Sequence, residues 1–206
     1  PTFAAMIPMQ VYNTLRVPKE RSSLMEIKHL IIGGGAIDDT LANELKDFPN
    51  QVWSTYGMTE TLSHIALRKL NGTDASDWYT PFDNVRIRLS EEGTLIIHAP
   101  NVCAEELITN DIVEINEEGK FRILGRKDNT INSGGVKIQI EQVEATLKAH
   151  LDIPFQITAR KDAKFGEIVV LIYNKVGNED DIRRVCESEL PTYWVPKAYI
   201  AVDELP

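Results

Sequence analysis

The sequence has few of the residues that build metal or disulfide sites. It contains only two cysteines, Cys103 and Cys186, and four histidines among 206 residues. Neither residue type stands at metal-ligand spacing, which argues against a zinc site or a metal hydrolase. Two distant cysteines also do not make a disulfide framework, so we expect a reduced, cytoplasmic protein.

Long apolar runs and an excess of positive charge are also missing. The longest apolar run, Ile168 to Tyr173, is strand-sized and far below the roughly 18–20 residues of a membrane span. With 22 basic and 31 acidic residues the net charge is −9, which disfavours nucleic acid as a partner. The chain begins Pro1-Thr2-Phe3 without a signal-peptide pattern and without an initial methionine, so we expect it to begin inside a longer gene product.

The overall composition, 43% hydrophobic and 26% charged, is typical of a globular protein. In residues 1–80, short apolar runs at Leu30–Ile32 and Val52–Ser54 predict buried strands. Between them, apolar residues recur at helical spacing at Ile37, Leu41, Leu45 and Phe48, with Asp38 or Asp39 placed to cap the helix. This order predicts a parallel sheet covered by helices.

The hydrophobic pattern changes twice further along the chain. In residues 81–126, paired alternating segments separated by turns at 90–93 and 116–119 predict two hairpins and a small antiparallel, barrel-like sheet. Residues 127–206 predict a small α+β domain with strands at 136–140, 155–160, 168–173 and 198–202. One helix is opened by Glu141, and a second contains Ile182. The predicted fold class is α/β, α+β overall, with domains at 1–126 (1–80 α/β, 81–126 β-rich) and 127–206.

Two glycine- or hydroxyl-containing segments follow the predicted strands of the first part. Gly33, Gly34, Gly35 and Ala36 form a junction between strand and helix, where backbone can approach a ligand, although a simple tight turn explains them too. The segment Tyr56–Glu60 places the Thr59 hydroxyl beside the Glu60 carboxylate on a loop. Such a pair can bind a phosphate oxygen and Mg²⁺, and the alternative is a helix cap with Thr59 as the N-cap.

Two polar segments stand out in the second half of the chain. Thr109–Asp111 precedes a predicted strand, where the Asp111 carboxylate could accept both hydroxyls of a ribose or form an Asx-turn. Residues 125–138 combine many polar residues with adjacent glycines between a strand and a helix. That composition favours a bent or ligand-contacting backbone, and a purely structural hinge is the alternative.

Taken in order, these segments resemble motifs of the acyl-adenylate-forming superfamily of acyl-CoA ligases, luciferases and peptide-synthetase adenylation domains. Tyr56–Glu60 matches the Tyr-Gly-x-Thr-Glu motif, and Asp111 falls in a Thr-Gly-Asp motif in which Asn110 replaces the glycine. Gly125–Asp128 matches the Gly-Arg-x-Asp hinge motif. Its continuation matches at Ile131, Gly135, Lys137, Ile138 and Glu144.

The resemblance implies a role for each matched residue. Thr59 would contact the adenylate phosphate and the substrate carboxylate, and Glu60 would hold Mg²⁺. Asp111 and Arg126 would bind the ribose, so that one AMP moiety is held by all four residues. The remaining AMP-binding positions would be Tyr56, Gly57 and the segment Gly33, Gly34, Gly35 and Ala36, which also lines the acyl pocket.

The resemblance also implies a mobile C-terminal domain. Asp128 would be its hinge, and Gly134 and Gly135 would border the channel for coenzyme A. Lys137 would contact phosphate, although many relatives carry an arginine at this position. The implied substrates are ATP, a carboxylic acid and coenzyme A, with Mg²⁺ as cofactor.

A narrower resemblance joins residues 56–68 and 132–138 to o-succinylbenzoate–CoA ligases of bacterial menaquinone synthesis. It implies that Thr61, Ser63 and His64 lie near the acyl pocket, where they would meet the second carboxylate of the substrate. The alternative is that His64 merely packs beside the motif loop. A carrier-loading adenylation domain and a non-catalytic nucleotide-binding relative remain as other functions.

Two family motifs are not in the sequence. The phosphate loop would lie before Pro1 and the catalytic lysine beyond Pro206, so we expect this fragment alone to be inactive in adenylate formation. We also expect the first sheet to lack neighbouring strands, which favours a homodimer or strand exchange.

Overall fold

The computed structural model describes residues 1–37 and 39–205, and of Asp39 it describes only the backbone. The chain divides into two compact units. Unit 1 comprises residues Pro1–Thr109 and Val113–Ile123, and unit 2 comprises Asn110–Ile112 and Leu124–Pro206.

The first sheet of unit 1 has five strands in the order β1-β2-β3-β4-β5. Its elements are β1 (Phe3–Met6), α1 (Pro8–Leu15), α2 (Pro18–Met25), β2 (His29–Ile32), α3 (Asp39–Leu45), β3 (Gln51–Gly57), β4 (His64–Lys69) and β5 (Thr80–Pro81). Strands β1, β2 and β3 are parallel, whereas β4 and β5 are antiparallel to their neighbours. The predicted parallel sheet with helical connections is therefore confirmed, with an antiparallel extension.

Apolar side chains from the helices and from the strands form the core of unit 1. Pro8 and Pro18 each open a helix at a position where a missing N–H does no harm. The predicted stripe is confirmed in part: Leu41 and Leu45 are buried on α3, whereas the buried Phe48 and the partly buried Ile37 lie outside the helix. The predicted cap falls on Asp38 and on the Asp39 side chain, which lie outside the described residues.

The second sheet consists of four strands in the order β6-β7-β8-β9. They are β6 (Arg86–Leu89), β7 (Thr94–His98), β8 (Leu107–Ile115) and β9 (Phe121–Arg126). Both predicted hairpins are present, but β8 begins earlier than expected. The prediction that Thr109–Asp111 precedes a strand was wrong, because the polar Thr109 occupies an inward, buried position of β8 that sequence alternation did not reveal.

Unit 2 contains a sheet in the order β11-β10-β13-β12, with β14 also paired to β13. Its elements are β10 (Thr130–Ser133), β11 (Val136–Gln139), α4 (Ile140–Lys148), β12 (Phe155–Asp162), β13 (Gly166–Asn174), α5 (Glu179–Glu189) and β14 (Ala198–Val202). Strand β10 was not predicted within the polar segment 125–138. It exists because Ile131 and Ser133 alternate inward, at 1% and 4% exposure.

No helix formed by the described residues is long and apolar enough to cross a membrane. Within those same residues, no group of three or more His, Cys, Asp or Glu side chains is arranged to hold a metal ion. The predicted α/β and α+β fold class, including the small antiparallel sheet, is confirmed.

Candidate active site

The loop after β2 lies against β3 at one edge of the first sheet. Because β2 and β3 are parallel neighbours, with Ile32 opposite Ser54, their carboxyl ends meet at the same edge. Gly33 follows β2 directly, and a Cβ atom at this position would lie 2.2 Å from Thr55 Oγ1. A side chain at residue 33 would therefore separate the loop from β3.

The rest of this loop presents mostly backbone to solvent. Gly34 has a φ of 77°, a conformation that favours glycine, and Gly34, Gly35 and Ala36 are all exposed. Exposed backbone at the carboxyl edge of parallel strands can contact a flat or anionic ligand. The AMP-binding role of residues 33–36 stays a prediction.

The Tyr56–Glu60 motif begins inside β3 and not on a loop, so that part of the prediction was wrong. The Tyr56 ring is buried, with its centroid 5.0 Å from that of Phe121 and 5.9 Å from that of Tyr79. Aromatic pairs stabilise a fold by more than the burial of their area alone, so this packing fixes the end of β3. Tyr56 thereby anchors the motif in the core of unit 1.

Gly57 allows the chain to fold back over the end of β3. A Cβ atom there would lie 2.3 Å from the Ser63 carbonyl oxygen and 2.6 Å from His64 Cα. Leu62 makes the turn with a φ of 59°, which is uncommon for a residue other than glycine. The side chain of Leu62 is 80% exposed, so no described packing contact buries it at this strained position.

A 3₁₀ helix at Thr59–Thr61 carries the remainder of the motif. Thr61 is 1% exposed, and its hydroxyl accepts a hydrogen bond from the Met58 amide at 3.0 Å. The same oxygen lies 2.7 Å from the Ser63 carbonyl oxygen, to which it donates. The alternative in which Thr59 caps a helix was wrong, because Met58 occupies the N-cap position and Thr59 is the first helical residue.

This turn leaves the Thr59 hydroxyl and the Glu60 carboxylate exposed next to each other. Neither side chain has a hydrogen-bond partner among the described residues. A single exposed carboxylate fits Mg²⁺, which usually takes one or two protein carboxylates and completes its shell with phosphate and water. The Mg²⁺-binding role of Glu60 stays a prediction.

His64 is the first residue of β4, and Ser63 directly precedes it. The Ser63 hydroxyl is 3.1 Å from His64 Nδ1, and the His64 ring packs edge-on against Phe82 at 5.6 Å between centroids. His64 therefore packs against Phe82 and also presents a polar ring beside a hydroxyl. Thr61 differs from both, because its hydroxyl is buried and bonded to the backbone.

In unit 2, the Arg126 guanidinium joins two carboxylates. It donates two hydrogen bonds to Asp128, at 3.1 Å from Nε and 2.8 Å from Nη2, and a third to Asp111 at 3.2 Å from Nη1. Asp111 is the more buried carboxylate, with 13% side-chain exposure against 51% for Asp128. The hydrogen bonds from Arg126 hold the pKa of Asp128 below its usual value.

The expectation that Asp111 and Arg126 lie together agrees with their contact in the structure, but the ion pairs of Arg126 with Asp111 and Asp128 were not predicted. Arg126 is the N-cap of a 3₁₀ helix at Lys127–Asn129, and this turn brings the Asp128 carboxylate within reach of the Arg126 guanidinium. Contact with Asp111 depends on the pairing of distant segments and has no local signal.

The two glycines at 134 and 135 form the turn between β10 and β11. Both have positive φ, 60° and 86°, as a two-residue hairpin turn requires. The Gly134 amide donates to the Phe165 carbonyl oxygen at 2.8 Å, which fixes the turn against the β12–β13 connection. Lys137 is exposed on β11, opposite Asn132, and its phosphate-binding role stays a prediction.

Comparison with known proteins supports the resemblance seen in the motifs. No family model matches the chain. A 2-succinylbenzoate–CoA ligase from Bacillus cereus is 28% identical over 209 aligned residues, which cover 87% of this chain and 44% of that protein. The chain thus spans about half the length of the curated relatives it matches.

Two solved structures are similar in fold. An acyl-CoA synthetase (AMP-forming)/AMP-acid ligase II-like protein from Dyadobacter fermentans is 32% identical, with a TM-score of 0.60 over 99% of this chain and 60% of that one. An o-succinylbenzoate CoA synthetase from Bacillus subtilis, in complex with its acyl-adenylate intermediate, is 22% identical, with a TM-score of 0.77 over 100% of this chain and 48% of that one. In the order of its motifs, in its sequence relatives and in its fold, the chain is similar to proteins of the acyl-adenylate-forming superfamily.

Proposed function

We propose that the protein carrying this chain is an ATP-dependent acid–CoA ligase, and that its acid is the menaquinone precursor o-succinylbenzoate. The observation that carries the proposal is the turn at Thr59–Thr61, whose internal hydrogen bonds leave the Thr59 hydroxyl and the Glu60 carboxylate exposed together. The name of the Bacillus cereus relative supports the choice of acid.

In the proposed first step, an oxygen of the acid's carboxylate attacks the α-phosphorus of ATP. An acyl–phosphate bond forms and pyrophosphate leaves, which converts a poor electrophile into a reactive acyl group. The Thr59 hydroxyl donates a hydrogen bond to the adenylate phosphate, and Glu60 holds Mg²⁺. When bound, the ion offsets negative charge on the phosphates.

In the proposed second step, the thiol sulfur of coenzyme A attacks the acyl carbonyl carbon. A thioester bond forms, AMP leaves with the bonding electrons, and the thiol proton passes to solvent. Asp111 accepts hydrogen bonds from the ribose hydroxyls, and Arg126 binds the same sugar. Asp128 is the proposed hinge of residues 127–206, and the hairpin turn at Gly134 and Gly135 borders the path of the thiol.

Specificity for the acid is assigned to Ser63 and His64. Both lie directly after the motif turn and carry polar groups that can bind the second carboxylate of o-succinylbenzoate. Thr61 is assigned a structural role instead, because its hydroxyl already binds the backbone of Met58 and Ser63. Lys137 is proposed as an exposed cation for phosphate.

The test uses the uninterrupted reading frame that contains this sequence, expressed and purified as one protein. We expect pyrophosphate exchange into ATP that depends on o-succinylbenzoate and Mg²⁺, and formation of AMP and a CoA thioester. Thr59→Val and Glu60→Gln should each slow exchange about hundredfold, the effect of removing a group that stabilises charge in the transition state. Glu20→Gln, an exposed carboxylate of α2, is the matched control and should leave exchange unchanged.

The same assay separates the other functions of this superfamily. Exchange without thioester formation until a carrier protein is added would identify a carrier-loading adenylation domain. ATP binding without any exchange, in a protein that is otherwise folded, would identify a non-catalytic relative. Exchange that is faster with another aryl or acyl acid would overturn the assignment of o-succinylbenzoate.

A further inference from the structure

We infer that Glu141, the second residue of α4, is a positioning residue that holds the hinge segment Arg126–Asp128 in one of its conformations. The hinge role of this segment belongs to the proposed function, so the kinetic consequence rests on that proposal. The contacts themselves lie entirely within unit 2 and do not depend on it.

The carboxylate of Glu141 contacts both flanks of the hinge segment. Its Oε1 atom accepts a hydrogen bond of 2.7 Å from the side-chain amide of Asn129, the residue that follows the segment. Its Oε2 atom lies against Gly125, the residue that precedes the segment, and a Cβ atom on Gly125 would be 2.7 Å from it. One side chain of α4 thus links the two ends of the segment.

Gln139 completes the arrangement from the neighbouring strand β11. Its Nε2 atom donates to Thr130 Oγ1 at 2.6 Å, and its Oε1 atom would lie 2.8 Å from the same Gly125 Cβ position. Glu141 Oε2 and Gln139 Oε1 are both buried, and neither has a hydrogen-bond donor among the described residues. Two buried acceptors beside Gly125 that lack donors are unfavourable.

A half-turn of the Gln139 amide satisfies one of these acceptors. The rotation exchanges the amide oxygen and nitrogen, so that Oε1 accepts from the Thr130 hydroxyl and Nε2 lies beside Gly125, near which Glu141 Oε2 also lies. Thr130, Gln139, Glu141 and Asn129 thus surround the two flanks of the hinge segment. We call this set of four residues the hinge latch.

Rotation of the backbone at Asp128 must open the hinge latch. Gly125 and Asn129 lie on opposite sides of Asp128, so a large change in its φ or ψ moves one of them away from Glu141. The hydrogen bond from Asn129 to Glu141 is then lost, which disfavours the rotated state. The latch therefore biases the hinge towards the arrangement described, and it affects the balance between two steps that require different hinge positions.

Two substitutions at one position separate the latch from general packing. Glu141→Ala removes both contacts of the carboxylate. Glu141→Gln keeps the shape of the side chain and an oxygen for Asn129, and it puts an amide donor in place of the unpartnered Oε2 acceptor. We expect Glu141→Gln to behave like the unmodified chain and Glu141→Ala to release the hinge segment.

The first measurement is hydrogen–deuterium exchange of this 206-residue chain. In Glu141→Ala, the amides of residues 125–131 should exchange about fivefold faster, the equilibrium factor of one net hydrogen bond. Amides of β12 and β13 should keep their protection, and Glu141→Gln should match the unmodified chain throughout. Unchanged exchange at 125–131, or the same acceleration in every strand, would overturn the inference.

The second measurement compares the two half-reactions in the complete protein. Glu141→Ala should change the ratio of pyrophosphate exchange to thioester formation from added acyl-adenylate by about fivefold or more. A purely structural role would slow both half-reactions in parallel, and that result would count against the latch. Absence of exchange in the unmodified protein would count against the proposed function alone, since amide exchange decides the latch independently.

Discussion

Gly33 and Gly35 lie two positions apart in one loop, yet the space around them differs. A Cβ atom at residue 33 would be 2.2 Å from Thr55 Oγ1, far inside contact distance. At residue 35 the nearest atom is Pro8 Cγ at 3.6 Å, an ordinary van der Waals distance. The pair therefore tests whether close approach to β3, and not glycine flexibility in general, determines the choice of residue at position 33.

We expect Gly33→Ala to lower the free energy of unfolding by about 1–3 kcal/mol, as overpacking does. Gly35→Ala should stay within about 0.5 kcal/mol of the unmodified chain. Adding Thr55→Ala to Gly33→Ala removes the colliding oxygen, so the double variant should be more stable than the two single effects predict. Urea denaturation of the unmodified chain, the three single variants and the double variant provides the comparison, and equal losses at 33 and 35 would refute the close-approach argument.

The Asp128 carboxylate gives the ion pair with Arg126 a pH dependence. Its pKa in the folded chain is lowered from an ordinary value of 3.8, chiefly by the hydrogen bonds from Arg126. A lowered carboxylate pKa contributes stability that is present above the unfolded pKa and is lost as the pH falls through the folded pKa. The contribution is small, because both side chains are about half exposed.

A carboxyl NMR titration of the chain should therefore place the Asp128 midpoint below 3.8. Arg126→Gln should raise the midpoint towards that ordinary value. Arg122→Gln, which removes a different exposed ion pair with Glu114, is the control and should leave Asp128 unaffected. A midpoint that does not respond to Arg126→Gln would show that the pair does not form in solution.

At the scale of elements, the sequence predicted those with a strong period and missed those without one. Helix α3 and strands β12 and β13 carry regular apolar positions and were predicted. Helix α2 was not, since its only buried residue is Leu24. Strand β10 was missed because Thr130 and Asn132 alternate with its inward residues and resemble loop sequence.

Helix α5 begins at a cap that the sequence pattern did not single out. The Asn178 side chain accepts hydrogen bonds from the amides of Asp180 at 2.9 Å and Asp181 at 3.3 Å. Asn178→Ala should lower the free energy of unfolding by about 1 kcal/mol, and Asn178→Ser should restore most of it because serine also caps helices. Urea denaturation provides the comparison, and equal losses for alanine and serine would show that the cap is not the stabilising feature.

For the whole molecule, the order of hydrophobic patterns was sufficient to predict a parallel sheet, a β-rich part and an α+β part. Strand pairing between distant segments was not predictable in the same way. The contact between β10 and β13, where Ser133 faces Gly166, joins segments that no local period relates. The Thr59–Glu60 pair was predictable because the two residues are adjacent in sequence. The contacts of Arg126 with Asp111 and Asp128 depend on the fold.

The edge of the first sheet leads to a prediction about assembly. Strand β1 is the outermost strand, and among the described residues no strand pairs with its outer side. Phe3 and two residues of α1, Met9 and Tyr12, expose apolar side chains at 57%, 64% and 48%. An unpaired strand edge with apolar side chains nearby favours pairing with another chain.

We therefore expect this 206-residue chain to self-associate through β1, with a dimer fraction that rises with concentration in light scattering. Phe3→Lys combined with Met9→Lys should keep the chain monomeric, because lysine at a strand edge opposes pairing by charge. Val176→Lys changes a residue of unit 2 that is 89% exposed, and it should leave the dimer intact. A chain that remains monomeric at millimolar concentration would exclude β1 as an association surface, whereas loss of the dimer in Val176→Lys would move that surface to unit 2.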